Sequence, residues 1–433
     1  MLGRRLEYQS LKAVLLHMEA NVRFQISLHM PSIRSVEKVV SLKIKELSLF
    51  TSFTCVNDTM YNVGIARLFP EGNVPEPIRR ELSLSGSRYD FDEFGFPVAS
   101  GVNVLLPGDV SFQRETHNEE RNDTVEMERV YRHQLSVQEN ALEMRNFLTS
   151  LGVTASDYDP KLLPYCIEEC KLELQPFDCR RNNTKPPFTC FIQVTITNAK
   201  KRHVEWFECN RKLFEACKHL NEVFFGGRTM PVRVGELLDI AEICRLPIGF
   251  RLTVQKLQFC GDTLTHESFP LLVENSGSLF SIHLCRDEFP LIASDCHIVR
   301  NATRLVFCYP ENSDLETLAQ NISELPNREM CLYSKHLSRS SEFYFSLIQA
   351  WLMAEREIGA SFWIDAWNEK TLIEVLEFIL TYCEKSKRTE RCTSVQLSNS
   401  TALEAFYVRS ERPEWFEEED GTPGKLKMTI VEL

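Results

Sequence analysis

Leu257-Gln258-Phe259-Cys260-Gly261-Asp262-Thr263-Leu264 and Leu305-Val306-Phe307-Cys308 set the reading of the C-terminal half of the chain. The first opens on the alternating Leu257-Gln258-Phe259 and the second is a short continuous apolar run, both patterns of a strand. Working outward, strand candidates lie at Val254–Phe259, Leu279–Leu284, Arg304–Cys308, Glu329–Tyr333 and Ser361–Asp365. The first four begin about 25 residues apart, and the last step is longer. Helical patterns fill the gaps around Leu315–Glu324, Ser341–Ile358 and Glu369–Cys383. Strands alternating with helices predict an α/β fold.

Strand-plus-helix units of 20–29 residues are also the spacing of leucine-rich repeats. The C-terminal body therefore reads either as an irregular leucine-rich-repeat-like array or as one α/β sheet. Three further strands close it, at Thr393–Leu397, Ala402–Arg409 and Lys425–Val431. The acidic run Glu414-Trp-Phe-Glu-Glu-Glu-Asp420 between the last two reads as an exposed loop. Upstream, Cys190–Ile196 is a strand. Lys212–Phe225 is a helix with Leu213, Phe214, Cys217, Leu220 and Phe224 inward, ended by Gly226-Gly227.

The N-terminal portion has a different texture. Leu11, Val14, Leu15 and Met18 share one face of a helix. After a break near Ala20-Asn21, Val22, Phe24, Ile26, Leu28 and Met30 run to Pro31, where a helix must end or turn. A short helix at Ser35–Val40 follows. Leu47–Phe50, Phe53–Val56 and Met60–Leu68 are short strands, with a turn at Val56-Asn57-Asp58. Residues 114–125 are polar and read as a linker, and a helix with a narrow apolar stripe (Met127, Tyr131, Leu135, Leu142) runs from Val125 to Leu151, with Gly152 suited to its end. This gives four segments: a helical segment at 1–45, a β-rich segment at 46–113, linker and amphipathic helix at 114–152, and an α/β body at 153–433. Overall the expected class is mixed α/β.

Composition bounds function loosely. The chain has 433 residues, 43% hydrophobic and 25% charged, with a formal charge of −12. That is a soluble globular composition, and the acidity argues against a dedicated nucleic-acid binder. Neither a signal-peptide core nor an apolar run long enough to span a bilayer is present. The expected location is cytoplasmic or nuclear, neither secreted nor in the membrane, and the fifteen cysteines read as free thiols.

Motifs for chemistry fail on spacing. Nucleotide-binding loops, the serine-hydrolase elbow and the zinc-protease helix are missing. Asp90-Phe-Asp92-Glu-Phe94-Gly95 opens like a calcium loop, but Phe94 has no side-chain oxygen to offer and Gly101 stands where the bidentate acid belongs. Cys166 and Cys170 form one zinc-like pair, while Cys179 and Cys190 are too far apart for the second. No catalytic, cofactor-binding or metal residue is assigned, and the chain is expected not to be an enzyme.

Two resemblances supply a function. Residues 6–45 resemble a degenerate F-box: Leu6, Leu11, Val14, Leu15 and Met18 follow its first apolar pattern, and Val22 with Ile26 its second. Glu7 stands in place of the usual early proline, and the late tryptophan is missing. The remainder resembles a Caenorhabditis-expanded family, the F-box C family, in which such a segment precedes a nematode-specific domain of unknown function. The matching stretches are Pro31–Arg34, Leu42–Leu47, Asp92–Gly95, Leu106–Asp109, Pro186–Phe188, Phe225–Arg228, Leu257–Gly261 and Trp351–Gly359. The resemblance implies a substrate-receptor subunit of a cullin–RING ubiquitin ligase, without catalysis or cofactor. Leu11, Val14, Leu15, Met18, Val22, Ile26 and Pro31 would bind a Skp-family adaptor, and the C-terminal region a protein substrate. The alternative is a protein-binding scaffold whose F-box has decayed, with the same apolar residues packing onto the 46–113 strands.

Overall fold

A computed structural model of the protein describes residues 8–70, 74–99, 101, 104–113, 123–151, 162–259, 266–273, 279–284, 296–308, 315–333, 341–366, 369–383, 385–389, 392–409 and 424–433. Most of the polar linker, together with Leu6, Gly152 and the acidic run at 414–420, lies outside these residues. The fold is mixed α/β, as the alternation of strand and helix patterns predicts. The chain divides into two units: Met1–Leu42, Leu47–Met230 and Ala241–Phe250 in the first, and Lys43–Glu46, Pro231–Ile240 and Arg251–Leu433 in the second.

The first unit opens with α1 (Tyr8–His17), α2 (Ala20–His29) and α3 (Arg34–Val39). Glu19 starts α2 by accepting hydrogen bonds from the Asn21 and Val22 N–H groups, which places the break where the apolar pattern changes. Then follow β1 (Lys43–Leu49), β2 (Phe53–Val56), β3 (Thr59–Leu68), α4 (Glu76–Leu84) and three two-residue strands, β4 (Asp90–Phe91), β5 (Pro97–Val98) and β6 (Val110–Ser111). The helices α5 (Val125–Ser150) and α6 (Leu162–Asn182) come next, then β7 (Thr189–Thr197), β8 (Arg202–Glu208) and α7 (Leu213–Phe225). After β9 (Val232–Ile240), which belongs to the second unit, β10 (Ile243–Cys244) pairs with β6. An antiparallel sheet runs from Leu47–Leu49 of β1 through β2, β3 and β7 to β8. Leu213, Ala216 and Cys217 of α7 pack on Val63, Ile65 and Ile192 of that sheet.

The second unit carries β9, β11 (Leu252–Phe259), α8 (Phe269–Leu272), β12 (Ser281–Leu284), α9 (His297–Asn301), β13 (Arg304–Cys308), α10 (Leu315–Glu324) and β14 (Glu329–Tyr333). It ends with α11 (Ser341–Leu352), β15 (Ser361–Ala366), α12 (Glu369–Tyr382), β16 (Ser386–Arg388), β17 (Cys392–Gln396), β18 (Thr401–Arg409) and β19 (Gly424–Glu432). Strands β9, β11, β12, β13, β14 and β15 lie side by side in chain order, all parallel. Sequential parallel neighbours are the order of a repeat array, whereas doubly wound sheets reverse order at a switch point. Right-handed crossovers in that order put successive helices on one face. Strands β19, β18, β17 and β16 then continue the sheet antiparallel.

Two rows of side chains face the helices. Leu237, Leu257, Ile282, Leu305, Met330, Phe362 and Met428 stand in register, and so do Leu284, Phe307, Leu332, Ile364 and Leu426. All are buried. Each such side chain contributes roughly 1.5–3 kcal/mol of burial. Trp351 of α11 packs on Phe362, and the Thr393 hydroxyl of β17 donates to Leu376 O of α12, so these helices lie on the same face.

Sequence reading missed α4, α6, β8 and β9. Helix α6 buries Leu163, Ile167, Leu174 and Phe177 along one side and Pro176 and Cys179 on another, and Pro164 and Pro176 disguise it. Strand β8 buries nothing, so it has no alternation to detect. The helix drawn to Ile358 stops at Leu352, where the chain turns at Glu355 (φ 47°) and Gly359 (φ 85°).

Candidate interaction surfaces

In the first unit, the helical head is tied to the sheet below it. Phe24 of α2 stacks on Phe224 at 4.5 Å and meets Tyr61 edge-on at 6.3 Å. Asn21 donates to Val56 O and accepts from the Tyr61 hydroxyl. Beneath α3, the buried Glu37 carboxylate accepts from Arg23 (2.8 Å) and Arg228 (2.7 Å). Lys38 donates to Val223 O and Phe224 O, the open carbonyls at the end of α7. A helix C-terminus is a partial negative charge, so it helps balance the third cation, Lys38, beside a carboxylate already paired with two arginines.

This sorts the seven residues expected to bind an adaptor. Leu15 is 1% exposed and packs on Val36 and Val40, with Leu11 and Met18 half-buried beside it. Ile26 is half-buried, and Pro31, the first residue of a short 3-10 turn, is exposed. Val14 and Val22 are the two apolar side chains on offer, 44% and 43% exposed. Helical spacing put Leu15 and Val14 on one stripe, but adjacent residues diverge by about 100° and only one of them can face inward.

Other sequence candidates resolve into packing. Asp90 accepts from the Leu213 N–H and so caps α7, while Asp92 accepts from Phe94 N–H and Phe96 N–H in a turn that Gly95 closes at φ 94°. A cavity of about 520 Å³ beside them is lined by Asp90, Cys190, Cys209 and Lys212. Burial pushes the Cys190 thiol up to about 11, and the Cys217 and Cys244 thiols up to about 12, which leaves them weak nucleophiles at neutral pH. Among the described residues, no group of three or more His, Cys, Asp or Glu side chains is placed to hold a metal ion, and no helix is long and apolar enough to cross a membrane.

The second unit presents the sheet face turned away from α11 and α12. Strand alternation places one row there, Lys256, Ser281, Arg304, Glu329, Ser361 and Thr429. A second row holds Gln258, His283, Val306, Cys331, Trp363, Lys427 and Phe406. Beyond it stand Tyr333, Asp365 and Lys425. Lys427 lies over Trp363 at 4.6 Å and over Phe406 at 5.6 Å. Lys425 lies over Tyr333 at 5.0 Å and pairs with Asp365 at 3.3 Å. Burial holds the Asp365 carboxyl above its usual range against the pull of Lys425, and lowers the His283 imidazole. Among the described residues, Ser281 Oγ, Arg304 Nε and Thr429 Oγ1, all on this face, are buried with no hydrogen-bond partner. An unpaired buried polar group costs about 1–3 kcal/mol, so this row carries a local stability cost. Mixed charge and aromatic planes suit a polypeptide partner.

Residues 212–367 match the model of a family described as a domain of unknown function (DUF3557), and no F-box is detected. The match runs from the start of α7 through β15; it takes in Arg304, Cys331 and Trp363 and stops before Lys425 and Lys427. It agrees with the coarser part of the expected architecture, a domain of unknown function in the C-terminal region. Neither a curated protein nor a solved structure matches the chain.

Proposed function

We propose that this protein is a non-catalytic receptor that binds a polypeptide on the Arg304–Trp363–Lys427 face and docks a Skp-family adaptor of a cullin–RING ubiquitin ligase through Val14 and Val22. The observation that carries the receptor reading is that sheet face: two in-register rows that include charged and aromatic side chains, with Lys427 over Trp363 and Phe406 and Lys425 over Tyr333. Repeat-like arrays use such extended sheet faces for binding. The adaptor half rests on the F-box resemblance, and the exposure of Val14 and Val22 is compatible with it.

A second reading has its own observation. Burial of Leu15 and Phe24 inside the first unit favours a scaffold whose F-box has decayed. Co-purification of the full chain with a nematode Skp-family adaptor separates the two. The ligase reading expects binding by wild type and its loss in Val14→Asp/Val22→Asp, two substitutions at exposed positions that leave the core intact. No binding by wild type leaves the scaffold. Binding unaffected by the double substitution removes this docking surface.

A further inference from the structure

We infer that β8 is a self-pairing edge, through which two copies of this chain join antiparallel across Val204. Among the described residues, β8 ends the sheet of the first unit and has only β7 beside it. Among the described residues it has little cover on either face: every residue except Val204 is exposed, including Trp206 at 51% and Phe207 at 49%. Edge strands with open backbone groups and apolar side chains are templates for another strand, and proteins normally blunt them.

Backbone direction follows from the hairpin. Asn198 N–H donates to Lys201 O at 3.0 Å and closes the β7–β8 turn. Hydrogen-bonded pairs recur at every second residue of an antiparallel ladder. Counting from that pair, His203 and Glu205 turn their backbone groups toward β7. Arg202, Val204 and Trp206 turn theirs outward.

Side-chain chemistry selects the register. With Val204 opposite its own copy, Arg202 faces Trp206 twice, a cation over an indole, and His203 faces Glu205 twice. The outward groups of Val204, Arg202 and Trp206 then exchange about six backbone hydrogen bonds. Shifting the centre to Glu205 sets two carboxylates directly opposite each other, which is unfavourable. Within each copy the elements of this register are already ordered. Arg202 donates to Leu82 O at 2.9 Å, Trp206 Nε1 donates to Gln193 Oε1 at 3.1 Å, and His203 lies 2.7 Å from Glu205. The contact is isologous, so it closes at two copies instead of growing a fibre. Polypeptide binding by the second unit is not required for it.

Analytical ultracentrifugation of the full chain tests this from about 1 to about 100 µM, the range expected for a small interface. Wild type is expected to reach twice the chain mass with no larger species. Val204→Pro removes an outward N–H and leaves the β7 ladder whole, so it should weaken the dimer by at least about tenfold with an unchanged circular-dichroism spectrum. His203→Glu should weaken it as well, by facing Glu205, and adding Glu205→Lys should restore it. That charge pair reads the register even if Val204→Pro fails to fold. A chain that stays monomeric throughout, a dimer indifferent to both substitutions, or open-ended assembly overturns the inference.

Discussion

Glu37→Gln is the most informative perturbation of the head. The Glu37 carboxylate is the one anion among Arg23, Arg228 and Lys38, and its Oε1 takes hydrogen bonds from both guanidinium groups. Burial lowers the pKa of Arg23 and of Arg228, and Glu37 is the partner that opposes this. Removing one partner of a buried ion pair costs about 3–5 kcal/mol, because the charge left behind stays desolvated. Glutamine keeps the shape and an acceptor oxygen, and the α7 carbonyls still receive Lys38 and Arg228. The lower end, about 3 kcal/mol, is therefore expected. Hydrogen exchange resolved by peptide is the assay, since it reads this unit alone. Opening of α2 and α3 should become about 100-fold more frequent, and amides in the second unit should not change. In Glu37→Gln/Arg228→Gln one orphaned cation is gone, so the double variant should be less damaged than the sum by more than about 1 kcal/mol. A loss under about 1 kcal/mol, or strict additivity, refutes the argument that uncompensated charge is the cause.

Three further expectations follow from the same geometry. Burial, with Arg228 next in weight, lowers Lys38 to about 8. The unfolded chain therefore binds more protons than the folded one between pH 8 and the ordinary lysine value. Stability relative to Lys38→Met should rise with pH through that window in urea titrations, and a flat difference would show that Lys38 is not desolvated. With N-ethylmaleimide at neutral pH, the exposed Cys209 should label before the buried Cys217 and Cys244, which should react only after unfolding; mass spectrometry of timed samples checks the order. Finally, Gly64→Val should unfold the first unit by several kcal/mol, read as loss of the soluble full chain, because a Cβ at Gly64 would collide with the backbone oxygen of Ser85.

Many of the strands and helices with a buried face were legible because burial imposes a period, although β9, with Val232, Val234 and Leu237 buried, was missed. Arg304–Cys308, Glu329–Tyr333 and Leu315–Glu324 form at the residues the pattern marks. Strand β8 buries nothing and carried no period, which is why it was invisible although it is the exposed edge. Pro164 and Pro176 hid α6 for a different reason, since proline forbids helix only where the missing N–H or the ring has no room. The candidate sites were legible in part. Helical spacing identified the apolar stripe of α1, but not that Leu15 would turn to Val36 and Val40 while Val14 faced out. No spacing rule joins Trp363 to Lys427, or Glu37 to Arg228, across 64 and 191 residues of chain.

By itself the sequence determined the kind and order of the elements with clear periodicity, because hydrophobic periodicity, helix caps and turn residues act over a few neighbours. It also determined the roughly even strand spacing, from which either a repeat-like array or a single sheet could follow. Only the tertiary structure shows the strands as parallel neighbours in chain order within one sheet, which is a fact about hydrogen bonds between distant strands. The same holds for the charge cluster under the head, the unpaired buried polar atoms on the second sheet face and the exposed edge at β8. Each depends on which groups are left with or without a partner once the chain has closed, and that balance of desolvation against pairing exists only in the folded state.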